Sequence, residues 1–303
     1  MIGRMTLPHR SADLHLTDGG IETVLIFQEG LDLPLFAAFP LLGDDAGLDT
    51  LRRYYAPYVE LAEAHGAGFV AETPTWRASP RWARELGYSR EELDALNRRA
   101  VELMAELRDR YARVVISGCV GPADDGYQPA ALMTAGEAEA YHAVQVGSLA
   151  GADMVTAITM TYTAEAIGVA RAAARAGLPC VISFTVETDG RLPSGQGLGE
   201  AIAEVDAAAD VAYYMVNCAH PTHFADVLRG DWVARVRGLR ANASALSHAE
   251  LDEATELDAG DPADLGARYA TLPLELSVVG GCCGTDVRHV AAIASELKGA
   301  RPL

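Results

Sequence analysis

The chain has 303 residues, half of them hydrophobic, enough to bury one large core as one big α/β domain or two small ones. Its 42 acidic against 24 basic residues give a formal charge of −18, which repels nucleic acid and anionic membrane surfaces and argues against both as partners. No run approaches the ~20 apolar residues of a membrane span, and the opening MIGRMTLPHRSADLHL lacks the apolar centre of a signal peptide, so a cytoplasmic location is expected.

Short apolar strands alternate with amphipathic helices almost from end to end. A first strand is expected over residues 15–20, then a helix over 49–64. A second strand over 69–75 leads to a helix over 90–111, opened by a Ser89–Glu92 capping box. Strand 114–120 precedes helix 135–150, and strand 154–161 precedes helix 164–176. Three strands follow over 179–186, 213–218 and 236–242, then strand 276–281 and a closing helix over 287–297. Gly66, Gly151 and Gly177 suit left-handed helix ends. The acidic segment 247–272 reads as an elaborated loop and helix before the last strand. Eight strand–helix units with right-handed crossovers close naturally into a single α/β domain spanning residues 1–303, a (β/α)8 TIM barrel; a doubly wound open sheet is the alternative.

The five cysteines make an odd number, with two adjacent in sequence. Cys119 and Cys180 sit in strand-like apolar runs and read as core residues. Cys218, Cys282 and Cys283 stand at the ends of apolar runs among Gly, Asn and Pro, which calls for a chemical explanation. In a barrel, strand C-termini converge on one rim. Asp18-Gly19-Gly20, Glu72-Thr73, Asn217-Cys218 and the run from Gly280 to Gly284 all fall at such ends. Three sulfurs suit zinc and leave a fourth position open, and the flanking glycines let adjacent cysteines turn toward one ion. A zinc ion with three thiolates carries a net negative charge, so it is a poor activator of water. It still displaces the proton of an incoming thiol, which favours alkyl transfer over hydrolysis. A closed structural zinc site and a redox thiol group remain open on these residues alone.

The segments LTDGGIET, AETPTWRAS, SGCVGP, SFTVETDGRLPSGQGL, MVNCAHP and VVGGCCGTDVRHVAAI cover nearly the whole chain. In these, and in their order, the chain resembles the homocysteine S-methyltransferase family. The resemblance implies a (β/α)8 barrel in which Cys218, Cys282 and Cys283 bind Zn2+. It implies transfer of a methyl group from a sulfonium or quaternary ammonium donor to a thiol such as homocysteine, in methionine biosynthesis. Asp18, Gly19 and Gly20 would lie near the amino-acid part of the acceptor, with Glu72, Thr73, Thr159 and Asn217 as further substrate contacts. Asn242, in RANAS, would be the possible fourth metal ligand, or an ordinary turn residue. One departure bears on the acceptor. Where the family places a glutamate that holds the substrate's ammonium group, this chain has Ile158. Either Thr159, Thr161, Glu72 or Glu165 compensates, or the acceptor is not homocysteine. The expected partners are thus a small-molecule thiol acceptor and methyl donor, with the oligomeric state open, a homo-oligomer included. The alternative reading is a methyl-transfer or thiol-binding subunit working with a corrinoid on a separate chain.

Other conspicuous residues have plainer readings. His220 and His223 fit a helix start, Trp76 and Trp82 fit either the substrate mouth or loop packing, and residues 193–199 form a glycine-rich loop that could cover the site.

Overall fold

The computed structural model describes residues 6–127 and 131–300. Eight parallel strands pair in sequence order and close on themselves: β1 His15–Leu16, β2 Gly68–Glu72, β3 Val114–Val120, β4 Met154–Met160, β5 Cys180–Phe184, β6 Tyr213–Asn217, β7 Val236–Ala241 and β8 Val278–Gly281. His15 is flanked by Gly68 on one side and Val278 on the other, which seals the barrel. The expected (β/α)8 architecture is the observed one. The strands are buried along their length because helices cover the outside and side chains fill the inside.

The helices that cover the outside have local reasons to form. Helix α1, Asp45–His65, begins where the Asp44 side chain accepts from the Gly47 amide and stops at Gly66, in the left-handed region at φ +69°. Helix α2, Arg90–Arg110, opens on the expected Ser89–Glu92 capping box. Helix α3, Ala135–Ser148, opens on a Thr134–Glu137 box, and α4, Thr163–Arg175, runs into Gly177 at φ +73°. Gly151 does not take up a left-handed φ, because α3 has already ended at Ser148. Helix α5, Leu198–Ala208, forms where the sequence reading placed none. The acidic segment becomes α6, His248–Glu253, an irregular stretch, and α7, Pro262–Thr271. Helix α8 is Val287–Ala300.

Strand side chains alternate in direction, so the barrel interior is read two residues at a time. Its lower layer is apolar: Val70, Val115, Met154, Val181, Tyr213 and Met215 pack together with Val278. Two residues further on, the same strands carry Glu72, Ser117, Thr156, Ser183 and Asn217, all buried, with Arg240 on β7. This polar layer is the floor of the site. The paired strands stop at residues 16, 72, 160, 184, 217 and 241, short of the expected 20, 75, 161, 186, 218 and 242. The extra residues leave the ladder and form the rim.

Candidate active site

The rim brings the three predicted cysteines together. Cys218 follows β6 at φ +52°, a left-handed conformation uncommon for a non-glycine residue, and Cys282 and Cys283 follow β8. Their sulfurs all lie within 4.8 Å of one another. The Cys218 and Cys282 sulfurs are close enough to be joined as a disulfide, and the Cys218 sulfur is 4.0 Å from that of Cys283. The glycines make this approach possible. A Cβ on Gly20 would stand 2.5 Å from the Cys282 carbonyl oxygen, so only glycine lets β1 and β8 pass this closely.

Side chains behind the sulfurs hold them in place. Asn217 accepts from the Thr159 amide at 2.9 Å and the Ser183 hydroxyl at 2.6 Å, and its own amide donates to the Thr159 hydroxyl at 2.8 Å. The same amide points at the Cys282 sulfur, 3.9 Å away. Thr159 sits at φ +64° where the β4–β5 register shifts, so Asn217 pins an irregular strand end as well as a cysteine. Asn242 donates to the Cys218 carbonyl at 3.1 Å and to the Tyr127 oxygen, and the Tyr127 hydroxyl donates to the Cys283 sulfur. The Tyr127 ring stacks on His248 at 3.9 Å, and His248 contacts the Cys218 carbonyl at 2.8 Å. Burial pushes the Cys283 thiol up to about 11. As a free thiol it therefore stays protonated at neutral pH.

The opposite wall carries charge. Arg240 is buried at the end of β7 and reaches across the barrel to two carboxylates, 2.7 Å from Asp18 and 2.7 Å from Glu72. It also donates to the Gly19 and Gly281 carbonyls, each at 3.0 Å. Asp18 accepts further bonds from the Thr17 hydroxyl at 3.1 Å and the Tyr54 hydroxyl at 3.0 Å. Burial pushes Glu72 up to about 7 against the pull of Arg240, while the Thr156 hydroxyl donates to it. Such a triad holds only because each charge is bonded, since an isolated buried carboxylate or guanidinium is strongly disfavoured.

Between the walls lies a cavity of about 360 Å3. Asp18, Gly19, Gly20, Glu72, Thr73 and Thr159 line it together with the three cysteines. Asn217 and Asn242 are buried behind that lining, against the cysteines. Ile158 lines the cavity and brings no charge. Seven carboxylates face two guanidiniums around it, Arg240 and Arg77. Arg77 is engaged with Asp125 at 3.8 Å and lies 4.1 Å over the Trp82 ring. Trp76 lines the mouth, as do Phe27 and Phe36, while Trp82 is buried beneath Arg77. Helix α6 and the segment after it close one side through Asp252, Glu256 and Asp258. Residues 193–199 do not line the cavity, and His220 caps the short helix Pro221–Phe224 instead of joining the sulfurs. Thr161 and Glu165, offered by the sequence as substitutes for the missing glutamate, are buried outside the lining, with Glu165 bonded to His142 at 2.9 Å.

Sequence reasoning missed Arg240, Tyr127 and Glu22. The signal for Arg240 was present: in VRGLRA it stands two residues beyond Gly238, on the inward side of a barrel strand, where an arginine needs a buried partner. Tyr127 gave no such signal, because it lies in a loop of ordinary composition.

The homocysteine S-methyltransferase family pattern matches residues 15–297. The chain is 24% identical to homocysteine S-methyltransferase 1 of Arabidopsis thaliana over 93% of each chain. It is 30% identical to methionine synthase of Mycobacterium leprae over 52% of this chain, a match that spans only 14% of that larger protein. In three dimensions it resembles the metallated form of the homocysteine methyltransferase MmuM from Escherichia coli, at TM-score 0.74 and 21% identity, covering 95% of this chain and 99% of that one; this likeness is one of fold. No helix among the described residues is long and apolar enough to cross a membrane. The family match along almost the whole barrel, on a chain whose strand ends gather three sulfurs, makes this protein a member of the homocysteine S-methyltransferase family, and so a methyltransferase.

Proposed function

We propose that this chain is a zinc-dependent thiol S-methyltransferase that moves a methyl group from a sulfonium or quaternary ammonium donor to a thiol acceptor. The observation that carries the reading is the group of three sulfurs within 4.8 Å of one another, opening on the cavity. The residues fit the ion. Tetrahedral zinc with Zn–S near 2.3 Å wants sulfurs about 3.8 Å apart, close to the 4.0 Å between Cys218 and Cys283. Asn242 Oδ1 is buried beside them and has no hydrogen-bond partner among the described residues, an oxygen available to a cation.

Cys218, Cys282 and Cys283 would hold the zinc, whose chemistry there would be to keep an acceptor thiol deprotonated and nucleophilic near neutral pH. The chain's own residues do the rest. Tyr127 and Asn217 hydrogen-bond the Cys283 and Cys282 sulfurs and fix their direction. The excess of carboxylates around the cavity, with the faces of Trp76 and Tyr127, favours a positively charged donor over a neutral one. The acceptor sulfur's electron pair forms the new bond to the methyl carbon. The donor's bond to that carbon breaks, and the donor leaves neutral with the electron pair. No carboxylate has to act as a general base, which suits a site in which Arg240 holds Asp18 and Glu72.

The test combines metal analysis with a substrate panel. Purified chain is expected to hold one zinc by mass spectrometry of the metal. It is also expected to methylate a thiol from S-methylmethionine, betaine or a dimethylsulfonium donor without a second protein. A chain that holds no zinc yet transfers methyl groups at full rate would sink the proposal.

A further inference from the structure

Glu22 stands in the cavity wall without a counter-charge. It follows the Asp18–Gly20 turn, in the first turn of the short helix Ile21–Thr23, and lines the cavity. Among the described residues, no ion pair and no hydrogen bond from another residue reaches its carboxylate; Arg77 and Arg240 act on it only through space. Burial pushes its carboxyl up to about 7.

The rest of the inner wall is already satisfied. Arg240 bonds both Asp18 and Glu72, and Asp18 takes further bonds from Thr17 and Tyr54. Arg77 is engaged with Asp125 and the Trp82 ring. Ile158 offers nothing to a charge, and Asp252, Glu256 and Asp258 are exposed to solvent at the mouth. A cation entering the cavity therefore meets one carboxylate that only its own backbone amide bonds, with lone pairs left for a ligand. Trp76, on the same cavity, adds an aromatic face to that environment.

We propose that Glu22 binds the positive charge of a ligand in this cavity, either an ammonium on the thiol acceptor or the onium centre of the methyl donor. The proposal rests on reading the cavity as a thiol methyl-transfer site. It makes Glu22 the specificity residue that replaces carboxylates bonded to Arg240 and the one absent at position 158.

Two pairs of probes, each differing only in a charged group, distinguish the sources. Calorimetric binding to the zinc-loaded chain compares L-homocysteine with 4-mercaptobutanoate, and betaine with its carbon isostere 3,3-dimethylbutanoate. Wild type is expected to bind the charged member about tenfold more tightly in at least one pair, as a carboxylate–cation contact in a partly desolvated site gives. The pair that shows the preference names the source. Glu22→Gln is expected to reduce that preference to about threefold or less, while Glu22→Asp keeps part of it. The proposal is overturned if wild type prefers the charged member of neither pair, or if Glu22→Gln keeps the full preference. Removing an unpartnered carboxylate does not threaten folding, and a melting temperature at or above that of wild type certifies the variant. A separate readout guards the underlying reading: 4-mercaptobutanoate added to cobalt-substituted chain is expected to produce sulfur-to-cobalt charge-transfer absorption. Its absence would overturn the thiol site whatever Glu22 binds.

Discussion

The cavity's two walls differ in how they are specified. On the β6–β8 side, three cysteines and two asparagines at or just beyond their strand ends surround one point, joined there by Tyr127 from the loop after β3. On the β1–β2–β7 side, Asp18, Glu72 and Arg240 hold one another across the barrel, and none has a partner near it in sequence. The sulfur wall brings together the three cysteines to which the family resemblance assigns the metal. In the charge wall, Asp18 and Glu72 are bonded to Arg240 and Ile158 is apolar, so the carboxylate of the DGG turn is already in use. Under the proposed function, the sulfurs that would hold the metal and the charged groups that would meet a ligand lie on separable parts of one rim.

The strongest way to break this comparison is to remove a sulfur. Cys218→Ser is expected to lose stoichiometric zinc and to lower kcat/KM on the order of 10³-fold or more, as loss of a metal ligand at a reacting centre does. Metal analysis beside steady-state kinetics checks it. If activity survives metal loss, the sulfur wall is structural and the separation of roles fails.

Arg240 tests the other wall, through stability. Arg240→Leu leaves Asp18 and Glu72 buried without their shared cation and is expected to cost about 3–5 kcal/mol in urea unfolding. The triple change Asp18→Asn, Glu72→Gln, Arg240→Leu removes the stranded charges and is expected to recover much of that loss. A loss under about 1 kcal/mol for Arg240→Leu would mean that the carboxylates are not held charged by it, and the wall would have to be redrawn.

How much of this could be read in the sequence follows the same division. All eight strands were legible because a buried parallel strand is a largely apolar run, even where Arg237 and Arg240 interrupt β7, and the cysteines were legible because few roles suit three thiols among glycines. The strand ends were overrun because hydrogen-bonded pairing stops before the apolar pattern does, as between Asn217 and Cys218. Helix α5 was missed in LGEAIAEVDAA although Leu198, Ala201, Ile202 and Val205 recur at helical spacing on its buried face. Arg240 lies 222 and 168 positions from its partners, so no window of sequence contains the triad. Asn217 was expected at the substrate, whereas the structure places it behind the lining. A side chain's depth depends on the barrel's stagger, which one strand cannot reveal.

Asn217 offers a smaller effect that sharpens the boundary between the walls. Asn217→Ala removes the bonds to Thr159 and Ser183 and the contact to the Cys282 sulfur. It is expected to weaken zinc affinity by about 10–100-fold, measured by competition with a chelator, while leaving the Asp18–Arg240–Glu72 triad intact. Equal loss of zinc affinity in Arg240→Leu would show that the two walls are one coupled unit.

The smallest effect is a matter of sign. Burial holds the Glu22 carboxyl at about 7, above its usual value near ~4.3, so the folded state keeps a proton that the unfolded chain has released. Stability is therefore lost as pH rises from about 4.3 through 7, because ionising Glu22 is harder in the fold than out of it. Glu22→Gln carries no such penalty. The variant is expected to match wild type near pH 4.5 and to exceed it by about 1–2 kcal/mol at pH 8, after discounting for the partial exposure of the side chain. Glu72 titrates in the same direction but is present in both proteins, so the difference between their melting curves isolates Glu22. A difference that shrinks with rising pH would mean that Glu22 gains a cation in the folded chain, and the open carboxylate of the charge wall would have to be sought elsewhere.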